Sequence, residues 1–578
     1  MCQVSGLFEG RCLAHAVSQT MSILHSSHRR ALVLVEAILL FAALGLFILH
    51  YLHLSADFPN YSPWMDWSKY TDEGWYGDAA IRQLQRGSWR VPGDFNPAAA
   101  LPVWPILELA VFCFTGVSLV AARALTVSVF GLILVAAYVL LRRTRSKPLT
   151  PHSLAPAIAV LLLAANPFCY AFTRLAILEP MVVLLTLLAL IAASAASPAS
   201  GQGVGWARLR SGWPLIALGV VIPLMVLTKT TSAFLLPAIA WMLWASAGYR
   251  LRPFLRLGVP AGMLAAILWG GYYGLVVRPH FLADYRYLFS ANAYTGMTRE
   301  NALSVLLQTL EDGMWMGKFI YPLGILATLI VLGAFRRFRR DPLIPSLLLW
   351  AFGYLSFLAY HNNLQPRYYL VVAIPLTLLV PILVEDLVTG APAPANPSAV
   401  AITSMGRFRA AAIGLAGVGL IVIAGTDARQ MLHYVRTPQY TFTKAAEELR
   451  RIITSDRSHS SLVLSISGSD LSLMTGLPSI CDDFGTMELA ERVATYHPGW
   501  YVTWNEVDDD KMDALAPFYH LQRVAAFPAM DDPERNLLIL YRLDLPIPGA
   551  PQHRRRKATP HLLQTKLGQQ PSTTQFEH

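Results

Sequence analysis

Long apolar runs recur along this chain, and they limit its possible folds more than any other feature. A helix needs about 20 apolar residues to cross the roughly 30 Å hydrocarbon core of a bilayer, and the first run, residues 31–54, reaches that length. The chain is 54% hydrophobic and 14% charged, whereas a soluble domain carries about 25% charged residues. The sequence therefore predicts a mainly α-helical, polytopic membrane protein.

The loops between these runs predict how the chain crosses the membrane, because Lys and Arg collect in cytoplasmic loops. Basic residues just before the first run predict that the N-terminal tail, residues 1–28, is cytoplasmic. Two crossings within the apolar region 101–141 would place four later basic loops outside, whereas one crossing places all four inside. We therefore predict an interfacial helix over 101–115 and a span over 119–141. The eleven predicted spans are residues 31–54, 119–141, 154–172, 180–197, 213–228, 232–248, 257–277, 318–334, 343–360, 369–387 and 410–425.

This topology divides the rest of the chain into three parts. Residues 29–425 form the predicted transmembrane module, with interfacial helices in a first external loop over 54–118. Residues 426–545 hold half of all Asp and Glu, and helical and β-like runs alternate there, which predicts a small C-terminal extracytoplasmic α/β domain. Within it, "ISGSD" at 466–470 is predicted to be a turn after a strand. Residues 546–578 are rich in Gln, Ser and Thr, which predicts a disordered tail.

Composition gives no support to two other classes of function. The five cysteines have no spacing typical of a metal site or a disulfide framework. The formal net charge of +10 lies mostly in short loops between apolar runs, where it indicates topology rather than nucleic-acid binding. We therefore expect a multi-pass protein of the cytoplasmic (inner) membrane, with its C-terminal domain periplasmic or extracellular and no nucleic-acid partner.

Ionisable side chains converge on the predicted outer face of the membrane. Such groups are expensive at membrane depth and are functional candidates for that reason. Transfer of a sugar from a lipid phosphate requires cations that hold the phosphate and a carboxylate near the acceptor hydroxyl as general base. The ionisable and aromatic candidates on this face are Asp72, Glu73, Tyr76, Arg174, Glu179, Lys229, His361 and Arg367.

Five segments resemble, in chain order, motifs of the membrane glycosyltransferases of the GT-C fold. The branch that they look most like contains the lipid A aminoarabinose transferase and the protein O-mannosyltransferases, and the resemblance covers about residues 60–425. No single motif is specific, but their order and predicted membrane side agree with the family. The segments are "DEGWYGDAAIRQLQRGSWRVPGDFN" (72–96), "CFTGVSLVAAR" (113–123), "AILEP" (176–180), "LTKTT" (227–231) and "QPRYYLVVAIP" (365–375).

The resemblance implies roles for individual residues. It makes Asp72 the essential acidic residue of the first external loop, Glu179 the second carboxylate and Lys229 a lysine that faces the lipid phosphate. Arg367 with Tyr368 matches the family's later basic and aromatic element. The family also implies inversion at the anomeric carbon.

Two positions depart from the family pattern. The aminoarabinose transferases carry Glu-Lys-Pro where this chain has "AAALP" at 98–102, so two charged site residues are missing and specificity for lipid A is not implied. Glu179 replaces the usual Asp, which lengthens the reach of the carboxylate by one methylene group.

The candidates of the first external loop also have structural explanations. Asp72 suits the N-cap of a helix that starts at Glu73, and Glu73 would complement the dipole of that helix. Tyr76 fits an interfacial aromatic belt. A basic stripe with a spacing of four residues is expected to be a solvated helix face; it consists of Arg82, Arg86 and Arg90.

The later candidates have structural alternatives as well. Glu179 would pair with Arg174 across the start of a span. Lys229 and Arg367 would extend to the interface without binding anything, and His361 would be an interfacial residue with its hydrogen bonds satisfied.

The sequence leads to the hypothesis of a glycosyltransferase that moves a sugar from a polyprenyl-phosphate donor to a lipid, glycan or protein acceptor. In it, Asp72 is the general base supported by Glu179, while Arg174, Lys229 and Arg367 hold the phosphate. The residues are compatible with a divalent cation or with none. A transporter or flippase of a lipid-linked substrate, and a non-catalytic assembly protein of the same fold, remain as alternatives.

Overall fold

The computed structural model describes ten segments of the chain, which together contain the membrane module and the C-terminal domain. The predicted N-terminal tail, residues 1–28, lies outside the described residues, as does the predicted C-terminal tail, residues 546–578, apart from residue 546. The described segments are residues 30–57, 72–145, 153–197, 206–291, 301–361, 365–389, 399–465, 468–504, 507–529 and 537–546.

Most helices of the membrane module are apolar, and a helix suits the bilayer because it satisfies its own backbone hydrogen bonds where water is absent. Pro, Asn and Gly residues interrupt them at defined points. The helices of the module are α1 (Arg30–Leu49), α2 (Glu73–Arg86), α3 (Val103–Thr115), α4 (Leu119–Arg145), α5 (Ala155–Ala165), α6 (Pro167–Phe172), α7 (Glu179–Ala195), α8 (Trp206–Thr228), α9 (Leu236–Ser246), α10 (Leu251–Tyr272), α11 (Leu282–Ala291), α12 (Ala302–Asp312), α13 (Ile320–Gly333), α14 (Phe335–Phe338), α15 (Ile344–His361), α16 (Leu370–Thr389) and α17 (Ala399–Arg436).

Short helices of other types join some of these elements. A π-helix, Tyr273–Phe281, continues α10 into α11. The 3₁₀ helices are Pro97–Ala99, Thr230–Leu235, Gly313–Met316 and Pro366–Tyr369.

Six helical segments within the described residues are long and apolar enough to cross a membrane. Shorter apolar helices coincide with the other five predicted spans, so the count of eleven stays a prediction. The predicted span 154–172, for example, divides at Asn166, whose side chain accepts hydrogen bonds from the N–H groups of Phe168 and Cys169 and thereby starts α6. The six long segments are Arg30–Leu49, Leu119–Arg145, Leu251–Ser290, Ile344–His361, Pro366–Leu387 and Gly414–Ser455.

The apolar region 101–141 forms two helices, as predicted. Helix α3 ends at Thr115, and Gly116 follows with a φ of 72°, a left-handed conformation that favours glycine. Helix α4 then begins at Leu119, and α3 packs against α2. Helix α2, which follows Asp72, therefore contacts the rest of the membrane module through α3.

The C-terminal unit is an α/β domain, as predicted. Helix α17 continues past the predicted boundary at residue 425 to Arg436, and the domain follows with a five-stranded sheet of order β2-β1-β3-β5-β4. Strand β1 is parallel to β2 and β3, whereas β5 is antiparallel to β3 and β4. Its elements are α18 (Thr441–Ser455), β1 (Val463–Ser465), α19 (Gly468–Thr475), β2 (Ser479–Cys481), α20 (Leu489–Tyr496), β3 (Trp500–Trp504), α21 (Asp509–Leu515), β4 (His520–Pro528) and β5 (Leu537–Asp544).

The C-terminal domain packs against the first external loop in addition to being joined to α17. Helix α19 packs along α2. Asp57, at the start of the loop, accepts hydrogen bonds from the N–H groups of Phe442 (3.0 Å) and Thr443 (3.3 Å) and so caps α18. The described parts of the loop therefore lie between the membrane helices and the C-terminal domain, and both units position Asp72.

Candidate active site

Asp72 is the last residue before α2, but its side chain makes no capping hydrogen bond to that helix. Its backbone is left-handed, with a φ of 81°, a conformation that Asp tolerates better than most residues. The carboxylate points away from the N–H groups of the helix and forms an ion pair with Arg367. The N-cap explanation for Asp72 is therefore wrong, and its carboxylate is available for another purpose.

Arg367 and Tyr368 come from the 3₁₀ helix Pro366–Tyr369, which precedes α16. Both are buried, with exposed fractions of 5% and 8%. The guanidinium carbon of Arg367 lies 5.2 Å from the centroid of the Tyr368 ring, within the range of a cation–π interaction. Burial of Arg367 means that it does not extend to the interface as an isolated surface charge.

Lys229 and Glu179 form a second buried ion pair beside the first. Glu179 is the first residue of α7 and is completely buried, whereas Lys229 lies between α8 and the 3₁₀ helix Thr230–Leu235. The ammonium nitrogen of Lys229 is 4.0 Å from the centroid of the Tyr368 ring. The Tyr368 ring thus contacts the cations of both pairs and joins them into one cluster.

Glu73 is close to Asp72 in sequence but has different partners. Its Oε2 accepts from Nη2 of Arg123 at 2.6 Å, and its Oε1 accepts from Nε of Arg123 at 2.8 Å and from the N–H of Ala176 at 2.9 Å. Both oxygens are therefore used to fix α2 against α4 and the start of α7. These contacts give Glu73 a positioning role, and its predicted substrate contact stays a prediction.

The partners of Arg174 lie around the end of α1, and its predicted contact with a phosphate stays a prediction. Its guanidinium donates to the carbonyl groups of His50 (3.2 Å), Leu52 (2.7 Å) and His53 (2.6 Å), and to the Tyr170 hydroxyl (2.8 Å). These carbonyls follow α1, where helices leave acceptors without intrahelical donors. Arg174 therefore caps the end of α1, and Glu179 pairs with Lys229 instead.

The two remaining candidates border the cluster. Tyr76 is 8% exposed, which does not fit an interfacial belt, and its hydrogen bond lowers the pKa of the Asp72 carboxyl. The His361 ring stacks on Phe357, with centroids 5.0 Å apart and an interplanar angle of 26°. Both residues are placed to shape the site, and neither belongs to the two ion pairs.

The electrostatic environment of Asp72 favours a role in proton transfer. Burial raises the pKa of its carboxyl above the usual range, and the Arg367 guanidinium opposes that rise. Glu179 raises the pKa further, whereas Lys229 lowers it. A carboxylate with a raised pKa accepts a proton more readily near neutral pH, which is the property that a general base needs.

The arginine stripe does not form the solvated helix face that its spacing predicted, because Arg82 and Arg86 lie on α2 whereas Arg90 follows the end of that helix. Arg82 is 3% exposed and pairs with Asp78 at 2.9 Å and Asp94 at 2.6 Å. Arg86 donates to a backbone carbonyl of β2 at 3.0 Å, and Arg90 pairs with a carboxylate of α11 at 3.0 Å. Arg82 and Arg86 hold α2 against the loop and the C-terminal domain, and Arg90 links the loop to α11.

An aromatic cavity of about 190 Å³ lies next to the Lys229 segment. Thr230, the residue after Lys229, contributes to its wall. The other residues around the cavity include Leu227, Trp269, Tyr273 and Tyr285. Its lining suits a hydrocarbon group more than a free nucleotide.

Metal-ligating side chains are not clustered in the part of the chain that the structure describes: no group of three or more His, Cys, Asp or Glu residues there could hold a metal ion. Within the candidate site, each of the two carboxylates has a cation of the chain as its partner.

Two residues that sequence reasoning did not select hold this site together. Arg123 carried a signal, because it is a charged residue within an apolar run and such residues are rarely unpaired. Asp470, in the segment that was predicted to be a turn, accepts from the N–H groups of Asp72 and Gly74. No local pattern could reveal that contact, because the partners are 398 residues apart.

The helical membrane module, the first external loop and the small α/β domain define a multi-pass membrane protein of the GT-C fold, and comparison with solved structures supports this. No family model and no curated protein matches the sequence. ArnT from Cupriavidus metallidurans bound to undecaprenyl phosphate aligns over 88% of this chain and 97% of its own, with a TM-score of 0.53 and 13% identity. The likeness extends over nearly the whole of both chains and shows a shared fold.

Two further neighbours have lower scores. The apo state of the same ArnT covers 87% of this chain and 97% of its own, with a TM-score of 0.49 and 13% identity. The archaeal oligosaccharyltransferase AglB from Archaeoglobus fulgidus, in complex with an inhibitory peptide and a dolichol-phosphate, covers 86% of this chain and 74% of its own, with a TM-score of 0.44 and 13% identity. ArnT and AglB are both GT-C fold enzymes.

Proposed function

We propose that this protein is a glycosyltransferase that moves a sugar from a polyprenyl-phosphate donor to an acceptor on the outer face of the cytoplasmic membrane. The observation that carries the proposal is the cluster of two buried ion pairs, Asp72–Arg367 and Glu179–Lys229, around the Tyr368 ring. The neighbour bound to undecaprenyl phosphate has the same fold. The acceptor is a lipid, a glycan or a protein.

The two cations suit a lipid phosphate. Arg367 and Lys229 are buried beside the same ring, so an anionic phosphate that reaches them is held in a site with little water, where charge-assisted hydrogen bonds are strong. The aromatic cavity next to Thr230 offers apolar surface for the hydrocarbon that such a phosphate carries. A nucleotide-linked donor would leave that apolar surface unused.

Asp72 acts as the general base in this proposal. When the donor phosphate engages Arg367, Asp72 loses part of its counter-ion while it remains buried, and its affinity for a proton rises. The acceptor hydroxyl gives its proton to Asp72, its oxygen bonds to the anomeric carbon, and the bond from that carbon to the phosphate oxygen breaks. The lipid phosphate leaves with the bonding electron pair, and a single displacement inverts the anomeric configuration.

Glu179 supports this step by keeping Lys229 in place, since the completely buried carboxylate fixes the ammonium group next to the Tyr368 ring. We propose that transfer does not require a divalent cation, because Arg367 and Lys229 already supply two buried positive charges for the phosphate. Activity that survives EDTA supports that part of the proposal, and activity that returns only with added Mg²⁺ or Mn²⁺ contradicts it.

The experiment uses the purified full-length protein in nanodiscs with a panel of polyprenyl-phosphate-linked hexoses and pentoses. Release of polyprenyl phosphate together with transfer of radiolabelled sugar to an acceptor supports the proposal. Asp72→Asn should lower kcat by on the order of 10²–10⁴-fold, the usual effect of losing a general base. Asp57→Asn is the matched control, because Asp57 is a buried acid of the same loop that only caps α18.

Other outcomes separate the rival functions. In sealed proteoliposomes, movement of the lipid-linked sugar across the bilayer without release of polyprenyl phosphate would identify a transporter or flippase. Binding of the donor with neither reaction would identify a non-catalytic protein of this fold. An Asp72→Asn variant as fast as the wild type would remove the base from the mechanism while leaving the transferase proposal intact.

A further inference from the structure

Helix α2 obtains its N-terminal cap from the C-terminal domain. The N–H of Asp72 donates to Oδ2 of Asp470 at 3.0 Å, and the N–H of Gly74 donates to Oδ1 of the same carboxylate at 2.7 Å. Asp470 is 7% exposed and lies in the first turn of α19. A carboxylate is the group that the first turn of a helix favours, and a preceding residue of the same helix usually supplies it.

The approach of α19 to α2 is close enough to exclude a side chain. A Cβ atom at position 74 would overlap with the backbone carbonyl of Ser469. The Ser469 hydroxyl hydrogen-bonds to Asp78, one turn further along α2. Gly74 therefore allows the backbone of α19 to approach until the Asp470 carboxylate reaches the first N–H groups of α2.

This external cap explains the conformation of Asp72. An Asp at the N-cap normally accepts from the N–H groups of its own helix, which would turn the carboxylate away from Arg367. Because Asp470 accepts from the N–H of Gly74, one of the donors that a capping Asp72 would use is taken, and the Asp72 side chain makes no capping hydrogen bond and pairs with Arg367 instead. The backbone at Asp72 is held in its left-handed conformation by the bond from its own N–H to Asp470.

We propose that Asp470 is a positioning residue for the reaction: it takes over the cap of α2 and thereby holds the Asp72 carboxylate in the site. The C-terminal domain is then a structural part of the active site in addition to any role in acceptor choice. The kinetic part rests on the proposed function, whereas the capping part does not.

The test compares Asp470→Asn with Ser469→Ala in the full-length protein in nanodiscs. An amide at position 470 retains one acceptor oxygen and turns its NH₂ group toward the other N–H, so one cap contact is lost. Ser469→Ala weakens the same interface between α19 and α2 without touching the N–H groups of Asp72 and Gly74. It is therefore the control for general loosening of the domain.

Hydrogen exchange of the α2 N-terminus is the readout that does not depend on activity. Asp470→Asn should accelerate exchange of one of the two capped amides, that of Asp72 or that of Gly74, by about tenfold or more, and Ser469→Ala should leave both amides close to wild type. Unchanged exchange in Asp470→Asn, or equal acceleration in both variants, overturns the capping role.

Kinetics test the positioning role. Asp470→Asn should lower kcat by on the order of 10- to 100-fold with little change in the KM of the donor, because displacement of a reacting group costs about that much. Added to Asp72→Asn, it should cause no further loss, since two residues that act as a unit are not additive. If Asp470→Asn lowers kcat by the same factor in the Asp72→Asn variant as in the wild type, the proposal is overturned. If the wild type transfers no sugar, the proposed function fails and the exchange experiment alone decides the capping role.

Discussion

Breaking the Lys229–Glu179 pair is the perturbation with the largest expected effect on stability. Glu179 is completely buried and Lys229 is 8% exposed, so Lys229→Met leaves a buried carboxylate without its cation. Removing one partner of a buried pair costs about 3–5 kcal/mol in free energy of unfolding. Loss of the cation–π contact with Tyr368, at 4.0 Å, adds about 0.5–2 kcal/mol.

The double variant Lys229→Met/Glu179→Leu separates stability from function. Replacing both members of a buried ion pair with apolar residues of similar size is often neutral for stability, so we expect the double variant to recover most of the 3–5 kcal/mol. Sugar transfer should stay lost in both variants, because no ammonium group remains to hold the lipid phosphate.

The assay combines unfolding by SDS titration in mixed micelles with release of polyprenyl phosphate. Arg451→Met is the control, because its partner Glu448 and Arg451 itself are exposed by 47% and 75%, and such pairs contribute little. If Lys229→Met has the same free energy of unfolding as the wild type, the stabilising role of the buried ion pair is refuted. Transfer activity in the double variant would refute the role of Lys229 in phosphate binding.

Three further predictions concern other parts of the site. Arg174→Gln should lower stability while the donor KM of the folded fraction stays unchanged, because Arg174 donates to carbonyls after α1; a raised donor KM contradicts this. Arg367→Gln should move the acidic limb of the kcat/KM profile to higher pH. Asp72 acts as a base in its deprotonated form; burial raises the pKa of its carboxyl, and the Arg367 guanidinium lowers it. Removal of Arg367 therefore raises this pKa, and activity needs a higher pH. An acidic limb that stays at the wild-type pH contradicts this. Asp509→Cys should react with an impermeant maleimide in intact spheroplasts, because position 509 is exposed whereas the native Cys481 of the same domain is buried; protection of position 509 would overturn the predicted outer location of the domain.

The sequence was most informative where a single physical rule acts over a long segment. Apolar length predicted the membrane module, and loop charge placed Asp72, Glu179, Lys229 and Arg367 on one predicted face, where the structure brings them into one cluster. The division of the 101–141 region also followed from loop charge, and α3 and α4 are separate helices. The roles of the four residues stay predictions.

The sequence was least informative about which partner each charged residue takes. Arg174 donates to backbone carbonyls, and every residue has a carbonyl, so no side-chain pattern marks this partner. Arg82 was assigned to water because helix spacing shows which residues share a face but not what covers that face.

The cap that Asp470 places on α2 also sets an order for biosynthesis. The ribosome completes α2 almost four hundred residues before it reaches α19, so the membrane helices enter the bilayer with the start of α2 uncapped. Asp72 acquires its final orientation only after the last domain has folded against that helix. A truncated chain that lacks α19 therefore carries every residue of the ion-pair cluster but has no external cap on α2.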